Sequence, residues 1–163
     1  MTLDIADRLG LSDLVHRYAA GTDDRRFDEV LELFVSDATL WLPEPPRSLQ
    51  PTGLHRGHPE IETAIRAVTA AQRTQHAIVG EVYVAAPDGA HGRVSGIAHH
   101  WSRRDDALRA GAQDPGEIVD VVWHLRYDDS YVRTAAGWRF RARTLTIDAI
   151  ETRQARRLRP QVP

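Results

Sequence analysis

The sequence contains no cysteine among its 163 residues. Disulfide bonds, thiolate nucleophiles and cysteine-ligated zinc are therefore excluded, and the redox compartment cannot be read from cysteine usage. An excess of charge of either sign is also missing, because 23 acidic residues nearly balance 21 basic ones. Such a chain has no net electrostatic field that would steer it onto nucleic acid or an anionic membrane.

Long hydrophobic runs are absent as well, and none approaches the roughly 18 residues that a membrane span needs. The N-terminal stretch MTLDIADRLG is acidic and amphipathic, whereas a signal peptide begins basic and continues apolar. We therefore expect a cytoplasmic protein. The GxSxG elbow, the P-loop and the GxGxxG fingerprint are missing too, which disfavours serine hydrolase, nucleotide-binding and dinucleotide-binding functions.

Eight histidines raise the question of a metal site. His99 and His100 are adjacent, so on a strand they point to opposite faces and cannot readily share an ion. His55 and His58 lie near a proline-rich stretch without a carboxylate at a recognisable interval, and no HExxH motif occurs. We expect no metal.

The pattern of apolar residues changes from helical to strand-like along the chain. Helical spacing predicts helices at 3–20, 24–34 and 59–71. Runs of β-branched and aromatic residues predict strands at 38–42, 75–85, 91–103, 117–133 and 138–149. The four prolines of 43–57 and the polar residues of 104–116 predict loops.

This order predicts one α+β domain over residues 1–150, in which helices pack on one face of a curved, mainly antiparallel sheet. Residues 151–163 are rich in arginine, and we expect a solvated basic tail there. At 163 residues the chain is long enough to bury a core and shape one pocket.

Alternation along each strand separates inner from outer side chains. In the strand from Gln75, the even positions share an apolar face: His76, Ile78, Gly80, Val82 and Val84. In the 117–133 strand the inner set is Val119, Val121, Trp123, Leu125, Tyr127 and Tyr131. In the last strand we expect Arg139, Arg141 and Arg143 outside. The strand at 91–103 is ambiguous, and parity alone does not choose between His99 and His100.

Single polar groups on apolar faces indicate a pocket for a small hydrophobic ligand. His76 and Tyr127 are such groups, and Asp23 lies at the end of the first predicted helix. A carboxylate that accepts a hydrogen bond from an imidazole makes it a competent general base. The alternative interpretations are a packed core histidine and a helix-capping aspartate, and spacing alone does not bring Asp23 and His76 together.

Four segments resemble the SnoaL-like branch of the nuclear transport factor two-like superfamily, which includes scytalone dehydratase. They are LSDLVHRYAAGTDDRRFDEVLELFVSDATL, RTQHAIVG, GIAHHW and YDDSYVRTAAGWRFRARTL, in that order. The resemblance implies a cone-shaped, curved mixed or antiparallel sheet wrapped around N-terminal helices. It also implies a homodimer or homotrimer that needs no cofactor.

The same resemblance suggests catalytic residues. In scytalone dehydratase an aspartate after the first helix pairs with a histidine on the strand after the third helix, and these positions match Asp23 and His76 here. A second histidine of that enzyme matches His99, which implies that His99 points inward. Scytalone dehydratase has a catalytic tyrosine just before the aspartate, and that position is Thr22 here.

Five aromatic residues are the expected substrate contacts: Tyr18, Trp41, Trp101, Trp123 and Tyr127. The favoured function is a dehydratase or isomerase for a small hydrophobic, polycyclic carbonyl or hydroxy compound. His76, oriented by Asp23, would take a proton, and His99 or Tyr127 would protonate the leaving hydroxyl or stabilise an enolate.

Three alternatives stay open. A polyketide-cyclase-type reaction also begins with proton abstraction, and a non-catalytic binding or assembly protein could share the fold. Epoxide hydrolysis ranks lower, because it needs an arginine between carboxylates inside the pocket and none of the expected interior positions is an arginine.

Overall fold

The computed structural model describes residues 2–103 and 118–155. Its helices are α1 (Ile5–Asp23), α2 (Phe27–Leu31), α3 (Gly57–Ile65) and a 3-10 helix at Arg66–Ala70. Its strands are β1 (Phe34–Glu44), β2 (Ser48–Arg56), β3 (Arg73–Ala86), β4 (Gly89–Arg103), β5 (Ile118–Thr134) and β6 (Gly137–Ala155). No helix within these two ranges is both long and apolar enough to cross a bilayer. The predicted loop at 104–116 lies outside the described residues.

Helix α1 is closed at both ends by local hydrogen bonds. At its start, the Asp4 side chain accepts from the Asp7 amide and the Asp7 side chain accepts from the Asp4 amide, a capping box. At its end, the Arg26 and Arg25 amides donate to the carbonyls of Gly21 and Thr22. Arg25 has the left-handed backbone (φ 62°) that this type of helix end requires. The helix thus continues three residues beyond the predicted 3–20 and includes Asp23.

The six strands form one open sheet in the order β2-β1-β6-β5-β4-β3. All neighbours are antiparallel except β1 and β6, which are parallel. The helices pack against its inner face, around a core that includes Leu11, Val15, Leu40, Val94 and Phe140. The predicted α+β class and the curved mixed sheet with N-terminal helices are confirmed.

Three predicted boundaries are wrong. Residues 43–57 were expected to be a loop, but Ser48–Arg56 is a strand that pairs with β1. It lies at the edge of the sheet, where the missing amide of Pro51 costs little. Helix α2 is five residues long rather than spanning 24–34. Strand β6 runs to Ala155 because its last residues pair with the start of β5, so the basic tail does not begin at residue 151.

Two predictions about side-chain direction are wrong, because bulges interrupt the alternation of β3 and of β6. In β3 the pairing jumps from Ile78–Gly96 to Gly80–Ser95, so alternation resets after Val79. Val82 and Val84 are consequently exposed, not buried with His76. In β6 a similar bulge at Arg141 resets the alternation, and the expected outward Arg143 is completely buried instead.

Candidate active site

A cavity of about 430 Å³ lies between the helices and the inner face of the sheet. Its volume is within the roughly 300–1,000 Å³ typical of small-molecule sites. Most of its wall is apolar and includes Leu42, Pro43, Ile65, Val68, Val121, Leu125 and Leu145. A few polar side chains interrupt this wall: Tyr18, Thr22, His76, His100, Ser102 and Tyr127. The arrangement suits a mainly hydrophobic ligand that carries a small number of polar groups.

Asp23, at the end of α1, is held against the start of β3 by three hydrogen bonds. The His76 ring Nδ1 donates to its Oδ1 at 2.6 Å, and the His76 backbone amide donates to its Oδ2 at 2.7 Å. The Thr74 hydroxyl donates to Oδ1 at 2.9 Å. Arg25 joins the same junction by donating to the Thr74 hydroxyl and the Ala71 carbonyl. The carboxylate is therefore fixed relative to the imidazole.

This pairing determines which nitrogen of His76 is free. An ionised carboxylate only accepts hydrogen bonds, so Nδ1 carries the proton and Nε2 keeps its lone pair. Burial raises the pKa of Asp23, but the hydrogen bonds from the His76 ring, the His76 amide and Thr74 outweigh this and lower its pKa overall. His76 lines the cavity, with its side chain 11% exposed. The pair thus places an oriented imidazole base in the cavity wall.

His100, and not the expected His99, is the second histidine of the cavity. Opposed residues on paired antiparallel strands share a face, and His76 is paired with Ala98, two positions from His100. His100 Nδ1 donates to the Val121 carbonyl at 3.0 Å, which leaves its Nε2 as an acceptor. Burial lowers the pKa of His100, which favours the neutral ring.

His99 points to the opposite face of the sheet. Its Nδ1 donates to Asp120 Oδ2 at 2.7 Å, and its ring stacks on Trp101. This second Asp–His pair has the same local chemistry as Asp23–His76 but does not line the cavity. The prediction of an inward His99 is therefore wrong, because the inward face of β4 is occupied by Val94, Ala98 and His100.

The five expected substrate contacts divide into two groups. Tyr18, Trp123 and Tyr127 line the cavity. Trp41 and Trp101 do not: Trp41 alternates with the cavity residue Leu42 and is partly exposed, and Trp101 is on the His99 face. Thr22, which precedes Asp23, also lines the cavity, and its buried hydroxyl has no hydrogen-bond partner among the described residues.

Arg143 is a buried cation that parity analysis missed. It is paired with Asp129 through Nε and Nη2, both at 2.9 Å, and both side chains are fully buried. Its guanidinium lies 4.3 Å from the Tyr18 ring centre and 4.0 Å from that of Tyr127. Arg143 itself does not line the cavity, so its guanidinium is not placed between pocket carboxylates as epoxide hydrolysis requires. Placing Arg143 on the inner face requires knowing that Arg141 is a bulge residue.

Across residues 2–103 and 118–155, no group of three or more His, Asp and Glu side chains is arranged to hold a metal ion.

The chain belongs to the family described as SnoaL-like domain, whose model matches residues 4–144. A crystal structure of a Kribbella flavida protein is similar at 27% identity, with a TM-score of 0.72 over 90% of this chain and 93% of that chain. The comparison with curated protein sequences gives no match.

Two further solved structures share the fold at lower identity. One, described as a candidate scytalone dehydratase from Novosphingobium aromaticivorans, is 18% identical, with a TM-score of 0.70 over 96% of this chain and 94% of that chain. The other, a hexachlorocyclohexane dehydrochlorinase from Novosphingobium barchaimii, is 14% identical, with a TM-score of 0.71 over 96% of both chains.

Proposed function

We propose that this protein is a cofactor-independent lyase or isomerase for a small hydrophobic carbonyl or hydroxy compound, acting by Asp23–His76 general acid/base catalysis. The observation that carries the proposal is the 2.6 Å hydrogen bond from His76 Nδ1 to Asp23, at the wall of a largely apolar cavity. Two solved structures of the same fold are described as a dehydratase and a dehydrochlorinase, activities that both form a double bond by elimination.

In this mechanism His76 Nε2 removes a proton from a carbon next to a carbonyl group or a leaving group. The C–H electron pair becomes a new π bond, and the resulting imidazolium is stabilised by the Asp23 carboxylate. In a dehydration the C–O bond then breaks and the hydroxyl leaves as water, taking its proton from the His76 imidazolium, which regenerates the base. In an isomerisation the proton returns to another carbon. Polyketide cyclisation would begin with the same abstraction.

His100 has a different role from the acid that sequence reasoning assigned to its neighbour. Because its Nδ1 proton is committed to Val121, Nε2 accepts a hydrogen bond and cannot donate one. We assign His100 Nε2 to accept a hydrogen bond from a hydroxyl group of the ligand. Thr22 offers a further hydroxyl in the same wall, one that has no hydrogen-bond partner within residues 2–103 and 118–155.

The test is solvent deuterium exchange, read by mass spectrometry, on a panel of β-hydroxy carbonyl compounds, polyketides and steroids. Proton abstraction labels the substrate even when the product is unknown. We expect exchange with the wild type and a loss of roughly 10²–10⁴-fold in His76→Ala, the usual contribution of a general base. Asp23→Asn should be impaired as well.

His99→Gln is the matched control, because it alters an Asp–His pair that lies outside the cavity. It should retain activity within about two-fold, since His99 lies on the opposite face of the sheet from the cavity and glutamine can keep a hydrogen bond to Asp120. Exchange that is unaffected by His76→Ala and Asp23→Asn would remove the mechanism. Tight ligand binding by the wild type without exchange or turnover would favour the binding-protein alternative.

A further inference from the structure

The imidazole base His76 lies at one end of the cavity, and the buried cation Arg143 lies behind the wall of the other end. Tyr18 precedes Asp23 by five residues on α1, which is about 7.5 Å along the helix axis. Tyr127 follows Trp123 by four residues on β5, and Trp123 lies in the same row of the sheet as His76. The two phenols are therefore displaced from the imidazole along the cavity, in the same direction as Arg143.

The guanidinium of Arg143 is held behind these two rings. It lies 4.3 Å and 4.0 Å from the ring centres of Tyr18 and Tyr127, and 4.2 Å from that of Phe140. Cations are stabilised at the faces of aromatic rings at such distances. Because Tyr18 and Tyr127 line the cavity and Arg143 does not, the rings separate the positive charge from the ligand space.

Asp129 neutralises only one edge of this cation. Its carboxylate accepts from Nε and Nη2 of Arg143 and from the Tyr131 hydroxyl. The remaining terminal nitrogen, Nη1, is buried and has no acceptor among the described residues. The groups that surround the guanidinium are thus one carboxylate and the aromatic rings of α1, β5 and β6: Asp129, Tyr18, Tyr127 and Phe140.

The electrostatics of the two phenols agree with this geometry. Burial raises the pKa of both Tyr18 and Tyr127, so both are protonated hydrogen-bond donors at neutral pH. At each phenol the Arg143 charge lowers the pKa by more than the Asp129 charge raises it. The ion pair thus places its cationic member, and not its carboxylate, against the two tyrosine rings.

We infer that the Tyr18–Tyr127 end of the cavity binds the negatively charged oxygen of an enolate or phenolate ligand, and that Arg143 is the positioning residue that supplies the compensating charge. This inference rests on the proposed function and specifies its substrate class. The substrate is a conjugated carbonyl or phenolic compound, oriented with its oxygen at the tyrosines and its reacting carbon at His76. Preorganised donors at a developing oxyanion are a major source of catalysis in dry sites.

The test uses a dye rather than the unknown substrate. The probe is 4-nitro-1-naphthol, whose phenolate and phenol forms differ in colour, and 1-methyl-4-nitronaphthalene is its neutral isostere. The apparent pKa of the bound dye is measured by absorbance, and the dissociation constants of dye and isostere by titration. Four variants are compared with the wild type: Tyr18→Phe, Tyr127→Phe, His76→Gln and the double variant Arg143→Met/Asp129→Asn.

We expect the wild type to bind the phenolate in preference to the isostere. Each tyrosine variant and the double variant should raise the apparent pKa of the bound dye by about one unit, a tenfold loss of the anionic form. Affinity for the isostere should change by less than about three-fold. Tyr83→Phe is the matched control, because Tyr83 is a buried tyrosine that does not line the cavity.

Two outcomes overturn the inference. The dye could ionise on the protein in every tyrosine variant but not in His76→Gln, which would place the oxygen at the histidine end. Alternatively, the double variant could lose dye and isostere binding equally, which is what a purely structural Arg143 predicts. If the double variant does not fold, the inference is tested by the apparent pKa of the dye bound to Tyr18→Phe and to Tyr127→Phe. Failure of the wild type to bind either compound would instead contradict the proposed function.

Discussion

The Asp23 carboxylate accepts hydrogen bonds from both the ring and the backbone amide of His76, a residue 53 positions further along the chain. The ring bond orients the imidazole, and the amide bond ties the end of α1 to β3. A substitution at Asp23 therefore disturbs both the position of the base and the attachment of the helix.

Asp23→Asn should reduce stability at pH 6 by about 1–3 kcal/mol, the usual effect of disrupting part-buried hydrogen bonds to a charged group. The pKa of Asp23 is lowered in the folded protein, because its hydrogen bonds outweigh burial. Its contribution is thus present above the unfolded pKa of about 3.9 and is lost as the pH falls through the folded value. Urea unfolding at pH 6 and below pH 4 should show the difference between wild type and variant shrinking. A difference independent of pH would contradict this account, in which the ionised Asp23 carboxylate accepts the hydrogen bonds.

His100 should contribute a separate dependence of stability on pH, because the folded protein favours its neutral form. Burial lowers its pKa, so between the folded and unfolded values the unfolded chain binds more protons. Wild-type stability should therefore fall as the pH decreases through about 6.5, the unfolded value. His100→Gln removes this contribution and should lose less stability between pH 7.5 and pH 5 than the wild type does. Equal losses in thermal or urea unfolding would show that His100 does not titrate in this way.

The fold was predictable from the sequence because its signals are local. Helical spacing located α1 and α3, and β-branched runs located β3, β4 and β5 within a few residues. The edge strand β2 was missed because Pro51 and Gly53 within it, and the three prolines that precede it, are typical of loops. An edge position tolerates them, but the order of strands in a sheet is not a local property.

The candidate site was predictable only in part, for a similar reason. Asp23, His76 and Tyr127 were found, but Arg143 was assigned to the wrong face because one bulge residue resets alternation for every residue after it. The choice between His99 and His100 depended on the pairing of β4 with β3. Sequence alone does not contain that pairing, because both faces of β4 are about equally apolar.

Arg143→Met should destabilise the protein by roughly 3–5 kcal/mol, because it leaves the Asp129 carboxylate buried without its cation. Adding Asp129→Asn removes the uncompensated charge and should recover a large part of this loss. The measurement is the free energy of unfolding of both single variants and the double variant, as a double-mutant cycle. Additive losses would mean that the two side chains do not form the coupled pair described above.

Gly92 is required by close contacts beneath the same buried network. A Cβ at this position would lie 2.7 Å from Tyr131 Cε2, 2.9 Å from the Tyr131 hydroxyl and 3.0 Å from Tyr83 Cδ1. Since Tyr131 donates to Asp129, Gly92→Ala should displace the ring and cost about 1–3 kcal/mol, as overpacking does. Gly80→Ala is the control on β3, where no other atom of the described part of the chain lies within 4 Å of the added Cβ, and the free energy of unfolding should change by less than about 0.5 kcal/mol. Similar unfolding free energies for the two variants would show that the Tyr131 ring moves aside freely and that the network does not depend on its position.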